Sequence, residues 1–152
     1  MIYLYNYAKA SYKAQEKVRD VLTKLYSATP DGYCGDEDNG QTSAWYVFSA
    51  MGFYPVTPGV DQYVIGSPLF DQVELHLENG NTFKISSRNN GKDHFYIDSM
   101  ELNGKDYQNT FINYNDIQNG GEIIFNMSAT PNTNLGTKAE NKPYSLSTEN
   151  TK

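Results

Sequence analysis

"QTSAWYVFSAMGFYPVTP", residues 41 to 58, is where the character of the chain changes. From Gln41 to Met51 the stretch is mostly apolar, and Gly52 with Pro55 shortly after supplies a stop. That combination predicts a short, largely buried helix ending on glycine. Beyond Pro58 the hydrophobic period becomes two, the period of a half-buried strand. The expected fold is therefore α+β: a short helical segment followed by an antiparallel β-sandwich.

Upstream, "SYKAQEKVRDVLTKLYS" places Ala14, Val18, Val21, Leu22 and Leu25 on one helical face, with Ser11 as a plausible N-cap. "PDGYCG" is turn chemistry. Downstream, "DQVELHLENGNTFKISS" alternates Val73, Leu75 and Leu77, turns at Asn79-Gly80, and resumes with Phe83 and Ile85, a strong hairpin signal. A second Asn-Gly turn falls at Asn103-Gly104, and "GGEIIFNMS" supplies another strand. From Ala139 onward the sequence is polar and poor in aromatics, which predicts a disordered tail. The expected division is 1–58 helical, 59–138 antiparallel sandwich and 139–152 tail. The helices are too few for an independent bundle and look like the last hairpin of a larger helical domain.

The 152 residues suit one ordinary domain, or a small domain with part of another. A net charge of −6 argues against nucleic acid and anionic membrane surfaces as partners. The 13 tyrosines offer flat faces with polar edges, which suit sugar rings and equally suit half-buried strands. Cys34 is the single cysteine, so neither an internal disulfide nor a thiolate metal cluster is expected. Met1 leads into "IYLYNYAKA" without a basic start or a long apolar run, so no signal peptide is read there. No segment approaches transmembrane length.

Just before the apolar helix lies "GDEDNG", residues 35 to 40, where Asp36, Glu37 and Asp38 crowd three carboxylates together. One reading is capping: Asp38 at the N-cap with Gln41 three positions on fits a capping box, and the helix dipole favours negative charge there. A calcium loop of EF-hand type fails, because counting from Asp36 puts Gly40 at a ligand position and Val47 at the bidentate glutamate. The third reading is a catalytic carboxylate, held by the turn and kept ionised by the dipole. The pattern leaves capping and catalysis both open. His76 and His94 lie in strand-like sequence and read as surface or satisfied histidines. Trp45 and Tyr46, inside an apolar helix, read as core.

"GYCGDEDNGQTSAWYVFSAMGFYPVTPG" resembles the signature near the end of the catalytic module of glycoside hydrolase family 92 α-mannosidases. "YLYNYAKASYKAQEKVRDVLTKLY" is similar to the preceding helices of that family, and "GSPLFDQVEL" with "GGEIIFNMSATPN" to its β-sandwich. The resemblance runs to about Gly136. It implies the last helices of an (α/α)6 barrel against a β-sandwich, and calcium-dependent exo-hydrolysis of α-mannosides with inversion, the partners being mannose-containing glycans. By resemblance Asp36 and Asp38 match the family's base region. Asp38 is favoured as the base, since family sequences often carry Asn in place of Asp36. The resemblance puts the general acid, a glutamate, and the Asn-Glu pair associated with calcium upstream of Met1. The chain is then expected to be a fragment that binds no calcium by itself and needs the missing N-terminal part for turnover. The rival reading is a carbohydrate-binding or structural sandwich module. A secreted, periplasmic or cell-surface location is implied by the family alone. A hairpin cut from a barrel is expected to self-associate through a bare face, with Tyr3, Tyr7, Val18, Leu22, Phe48 and Met51 as candidates.

Overall fold

A computed structural model describes residues 2–147 of the chain. A 3-10 turn at Ile2–Asn6 leads into α1, Ser11–Lys24, and a loop over 25–40 leads into α2, Gln41–Met51. Strands then follow as β1 Phe53–Tyr54, β2 Gln62–Ile65, β3 Gln72–His76, β4 Thr82–Arg88, β5 Tyr96–Leu102, β6 Lys105–Asp106 and β7 Phe111–Asn113. A short helix, α3 at Tyr114–Gln118, separates β7 from β8, Gly121–Ser128. The two longer helices precede the sheets and only the short α3 interrupts the strands, an α+β arrangement.

The strands form two sheets, β1-β2-β7 and β3-β4-β8-β5-β6. The Asn79-Gly80 hairpin forms as its pattern requires, pairing Val73 with Ile85 and Leu75 with Phe83. Asn103 and Gly104, both with positive φ (51° and 75°), make the tight turn between β5 and β6. One pair departs from the antiparallel expectation: β4 and β8 run parallel, Ile85 lying opposite Ile123. β8 lies between the β3-β4 and β5-β6 hairpins and is antiparallel to β5 on its other side. Alternation specifies which face of a strand is apolar and says nothing about the direction of its neighbours.

Both sheets contribute to one core. Phe53, Ile65 and Ile112 from the small sheet meet Phe83, Ile85, Ile97, Met100, Ile123, Phe125 and Met127 from the large one. Along β2 successive side chains point to opposite faces. Ile65 enters that core, while Val64 joins a second cluster with Tyr3, Val18, Leu22 and Ala50. The small sheet thus carries the helical cluster on one face and the main core on the other.

The buried stripe of α1 is Ser11, Ala14, Gln15, Val18, Arg19 and Leu22, at the 3.6-residue spacing. Of the residues expected on it, Val21 is half-buried and Leu25 exposed. Ser11 is not the N-cap, which is Ala10; its hydroxyl donates to the Leu135 carbonyl at 2.9 Å. Two polar side chains take the apolar places because they bind polar groups of the sheets and their loops. Gln15 accepts the Ile97 N–H at 3.0 Å. The Arg19 guanidinium donates to the Pro68 carbonyl and to Asn90 Oδ1. Burial lowers the Arg19 pKa to about 10, with nearby Asp71 acting in the opposite direction.

Two further expectations are corrected. Tyr3, Val18, Leu22 and Met51 are not bare: each is under a tenth exposed, and Tyr7 and Phe48 pack against the two clusters. The large exposed apolar and aromatic side chains among the described residues of the helical part are instead Leu4, Tyr5, Leu25, Tyr33 and Val47. The tail is also attached. The N–H and hydroxyl of Thr110 both donate to the Asn141 carbonyl, the Tyr144 N–H donates to Gln62 Oε1 at 2.8 Å, and Pro143 is buried. A polar segment folds here because Thr110 and Gln62, flanking β7 and within β2, offer it hydrogen-bond partners. The rest of that expectation, residues 148–152, lies outside the described residues.

Candidate active site

The α2 helix is bounded by glycines in left-handed conformation at both ends, Gly40 (φ 93°) and Gly52 (φ 114°). At Gly52 a Cβ would come within 3.3 Å of the Phe125 ring and Pro68, so both the conformation and the space call for glycine. At the other end three successive residues have positive φ: Asp38 (54°), Asn39 (58°) and Gly40. The left-handed conformation costs a non-glycine residue roughly 1–2 kcal/mol, less for Asp and Asn, whose short polar side chains tolerate it. Such strain persists only where the surroundings over-determine it.

Hydrogen bonds from the first turn of α2 hold this one. The Gln41 N–H donates to the Asp38 carbonyl at 3.2 Å, and the Thr42 N–H to the Glu37 carbonyl at 3.1 Å. The Thr42 hydroxyl donates to the Asp36 carbonyl at 3.0 Å. The Ser43 N–H donates to the Glu37 side chain, Oε1, at 3.1 Å. The capping role read for Asp38 therefore belongs to Glu37, and Gly40 occupies the N-cap position. The tight left-handed turn brings the longer Glu37 side chain over the helix end and carries Asp38 past it. Glu37 is half-buried; Asp36 and Asp38 flank it and are exposed.

Aromatic rings back the turn. Tyr26 stacks on Trp45 with centroids 5.9 Å apart and meets Tyr46 at 4.9 Å. The Tyr33 hydroxyl lies 2.6 Å from the Ser43 hydroxyl. Tyr26, Tyr33, Ser43, Tyr46 and Val47 line a cleft of about 340 Å³. Burial, with Cys34 and Glu37 nearby, holds the Tyr26 phenol above the usual tyrosine value. Trp45 and Tyr46 are partly buried and pack on the helical cluster.

Asp36 and Asp38 share the turn, whereas His76 lies at the end of β3 and His94 in the loop before β5. Cys34 is exposed. Among the described residues no three His, Cys, Asp or Glu side chains come together as a metal-ligand set. No chemical step is assigned to a metal here. Glu37 and Tyr33 were missed in the sequence. No local pattern marked either of them, because both act through the path of the left-handed turn.

The comparisons with known proteins agree on one family. Residues 1–129 match the glycosyl hydrolase family 92 catalytic domain, and the chain belongs to that family. The match takes in both the helices and the sheets. A solved inverting mannosidase of this family from Bacteroides thetaiotaomicron is 49% identical, superposes with a TM-score of 0.91, and is matched over 96% of this chain and 20% of its own. A second family member from that organism, an α-mannosidase solved with mannoimidazole, is 36% identical with a TM-score of 0.92, over 95% of this chain and 19% of its own. A protein of Arthroderma benhamiae named as an uncharacterized secreted glycosidase is 28% identical over 147 residues, 19% of its length. The chain therefore spans about one fifth of the length of these relatives.

Proposed function

We propose that this chain supplies the base-bearing turn of an inverting exo-α-mannosidase acting on terminal α-mannosides of glycans. The observation that carries the reading is the division of labour in the turn. Glu37 takes the helix-capping role, and Asp36 and Asp38 are left exposed on a strained, hydrogen-bonded scaffold. Inversion needs two carboxyl groups about 6.5–9.5 Å apart, one protonating the departing oxygen and one taking a proton from the attacking water. Asp38 is assigned the second role. It draws the proton from a water that attacks the anomeric carbon on the face opposite the leaving group. Asp36 orients or tunes its neighbour. The glutamate acid lies outside this chain, as do any calcium ligands of a calcium-dependent whole enzyme. A general base acts from a held position, and the hydrogen bonds from Gln41, Thr42 and Ser43 hold this turn. Support comes from family membership and from the inverting mannosidase matched at 49% identity. The enzyme is inferred to work outside the cytoplasm, in line with the secreted glycosidase among its relatives.

The test is to graft this chain into the Bacteroides inverting mannosidase in place of the matching fifth. The chimera should hydrolyse an α-mannoside and release β-mannose first, followed by NMR of the anomeric proton. The chain alone should release none, because one carboxyl cannot act as acid and base on opposite faces of the sugar. Release of mannose by the isolated chain, or a folded chimera without activity, would overturn the reading.

A further inference from the structure

We infer that Glu37 is the positioning residue of the base turn, tethering the backbone that presents Asp38. This goes beyond capping for three reasons. First, Glu37 lies three residues before the N-cap Gly40, so its side chain spans the whole left-handed segment to reach the Ser43 amide. An ordinary cap is a short side chain at the N-cap itself. Second, the same residue is fastened twice, its carbonyl accepting Thr42 N–H and its side chain accepting Ser43 N–H. Asp38 and Asn39, the strained residues, lie between these anchors and the helix. Third, Glu37 Oε2 is buried with no hydrogen-bond partner among the described residues. A buried carboxylate oxygen left unmatched within the chain is an exception that calls for a reason other than capping. Ser43 is in turn fixed by Tyr33, whose hydroxyl lies 2.6 Å from the Ser43 hydroxyl, so the anchor is itself held on its far side.

The catalytic consequence rests on the mannosidase reading; the tether does not. In the isolated chain, Glu37→Ala should speed hydrogen exchange of the Ser43 amide at least tenfold, while Glu37→Gln, which keeps an acceptor oxygen at the same reach, should leave it protected. In the chimera, assayed well below the melting temperature, Glu37→Ala should lower kcat about 10–100-fold with KM nearly unchanged, as expected when a catalytic group is displaced by an ångström or so. Glu37→Gln should restore most of kcat, and Glu37→Asp, one methylene short, should resemble Glu37→Ala. A Ser43 amide as protected in Glu37→Ala as in the parent overturns the tether. An unchanged kcat per folded molecule in Glu37→Ala, or a loss in Glu37→Gln as deep as in Glu37→Ala, overturns the positioning role. An inactive parent chimera would instead remove the mannosidase reading, leaving the exchange result to judge the tether separately.

Discussion

Asp38 has a φ of 54°, a conformation that asparagine accepts as readily as aspartate. Asp38→Asn therefore keeps the size and backbone of the residue and removes only its ability to take a proton. In the chimera its kcat should fall by about 10²–10⁴-fold, the usual contribution of a general base, with the melting temperature nearly unchanged. Asp36→Asn should be milder if Asp36 only orients its neighbour. Rate and melting temperature measured together check both. A silent Asp38→Asn beside an inactive Asp36→Asn would exchange the two roles. The acidic character of the turn was legible in the sequence, but the identity of the capping carboxylate was not. Capping rules assume that the residue nearest the helix does the capping. Here the left-handed turn folds the nearest carboxylate away and brings a more distant one over the helix end.

Among the elements, α1 joins the helices to the large sheet through polar rather than apolar contacts. Its amphipathic pattern was visible in Ala14, Val18 and Leu22, and the sequence could not show that Gln15 and Arg19 share the buried face. A hydrophobic periodicity treats both as solvent residues, because their partners are carbonyl and amide groups more than forty positions away. Arg19→Met keeps much of the side-chain volume and deletes the donors to Pro68 and Asn90. With a hydrogen bond to a charged group worth about 1.5–3 kcal/mol, the variant should lose roughly that much stability in urea unfolding. Desolvation of the guanidinium, which pulls the Arg19 pKa down to about 10, offsets part of its contribution. A loss at the lower end is therefore expected. An unchanged midpoint would show that the guanidinium gains no more than its burial costs.

For the molecule as a whole, the predicted contact face proved to be core, and a different surface is open. Ile2, Leu4, Tyr5 and Ala8 line an apolar cleft at the 3-10 turn, with Leu4 half exposed. Burial of Tyr3, Val18 and Leu22 makes the helical segment part of the folded body, with its own cluster against Val64.

By itself the sequence determined the change from leading helices to strands, though not α3, and also the two Asn-Gly turns, the glycine stop at Gly52 and the place of the acidic turn. Each of these depends on local periodicity or on the conformational freedom of one or two residues, so a single chain read in order reveals them. Only the tertiary structure decided that β8 lies parallel to β4, that Arg19 and Gln15 are buried, and that Thr110 and Gln62 anchor the segment after Ala139. The same holds for Glu37 taking the cap from Asp38. Those outcomes depend on hydrogen-bond partners distant in sequence or on the path of a strained backbone, and hydrophobic patterning carries no record of either.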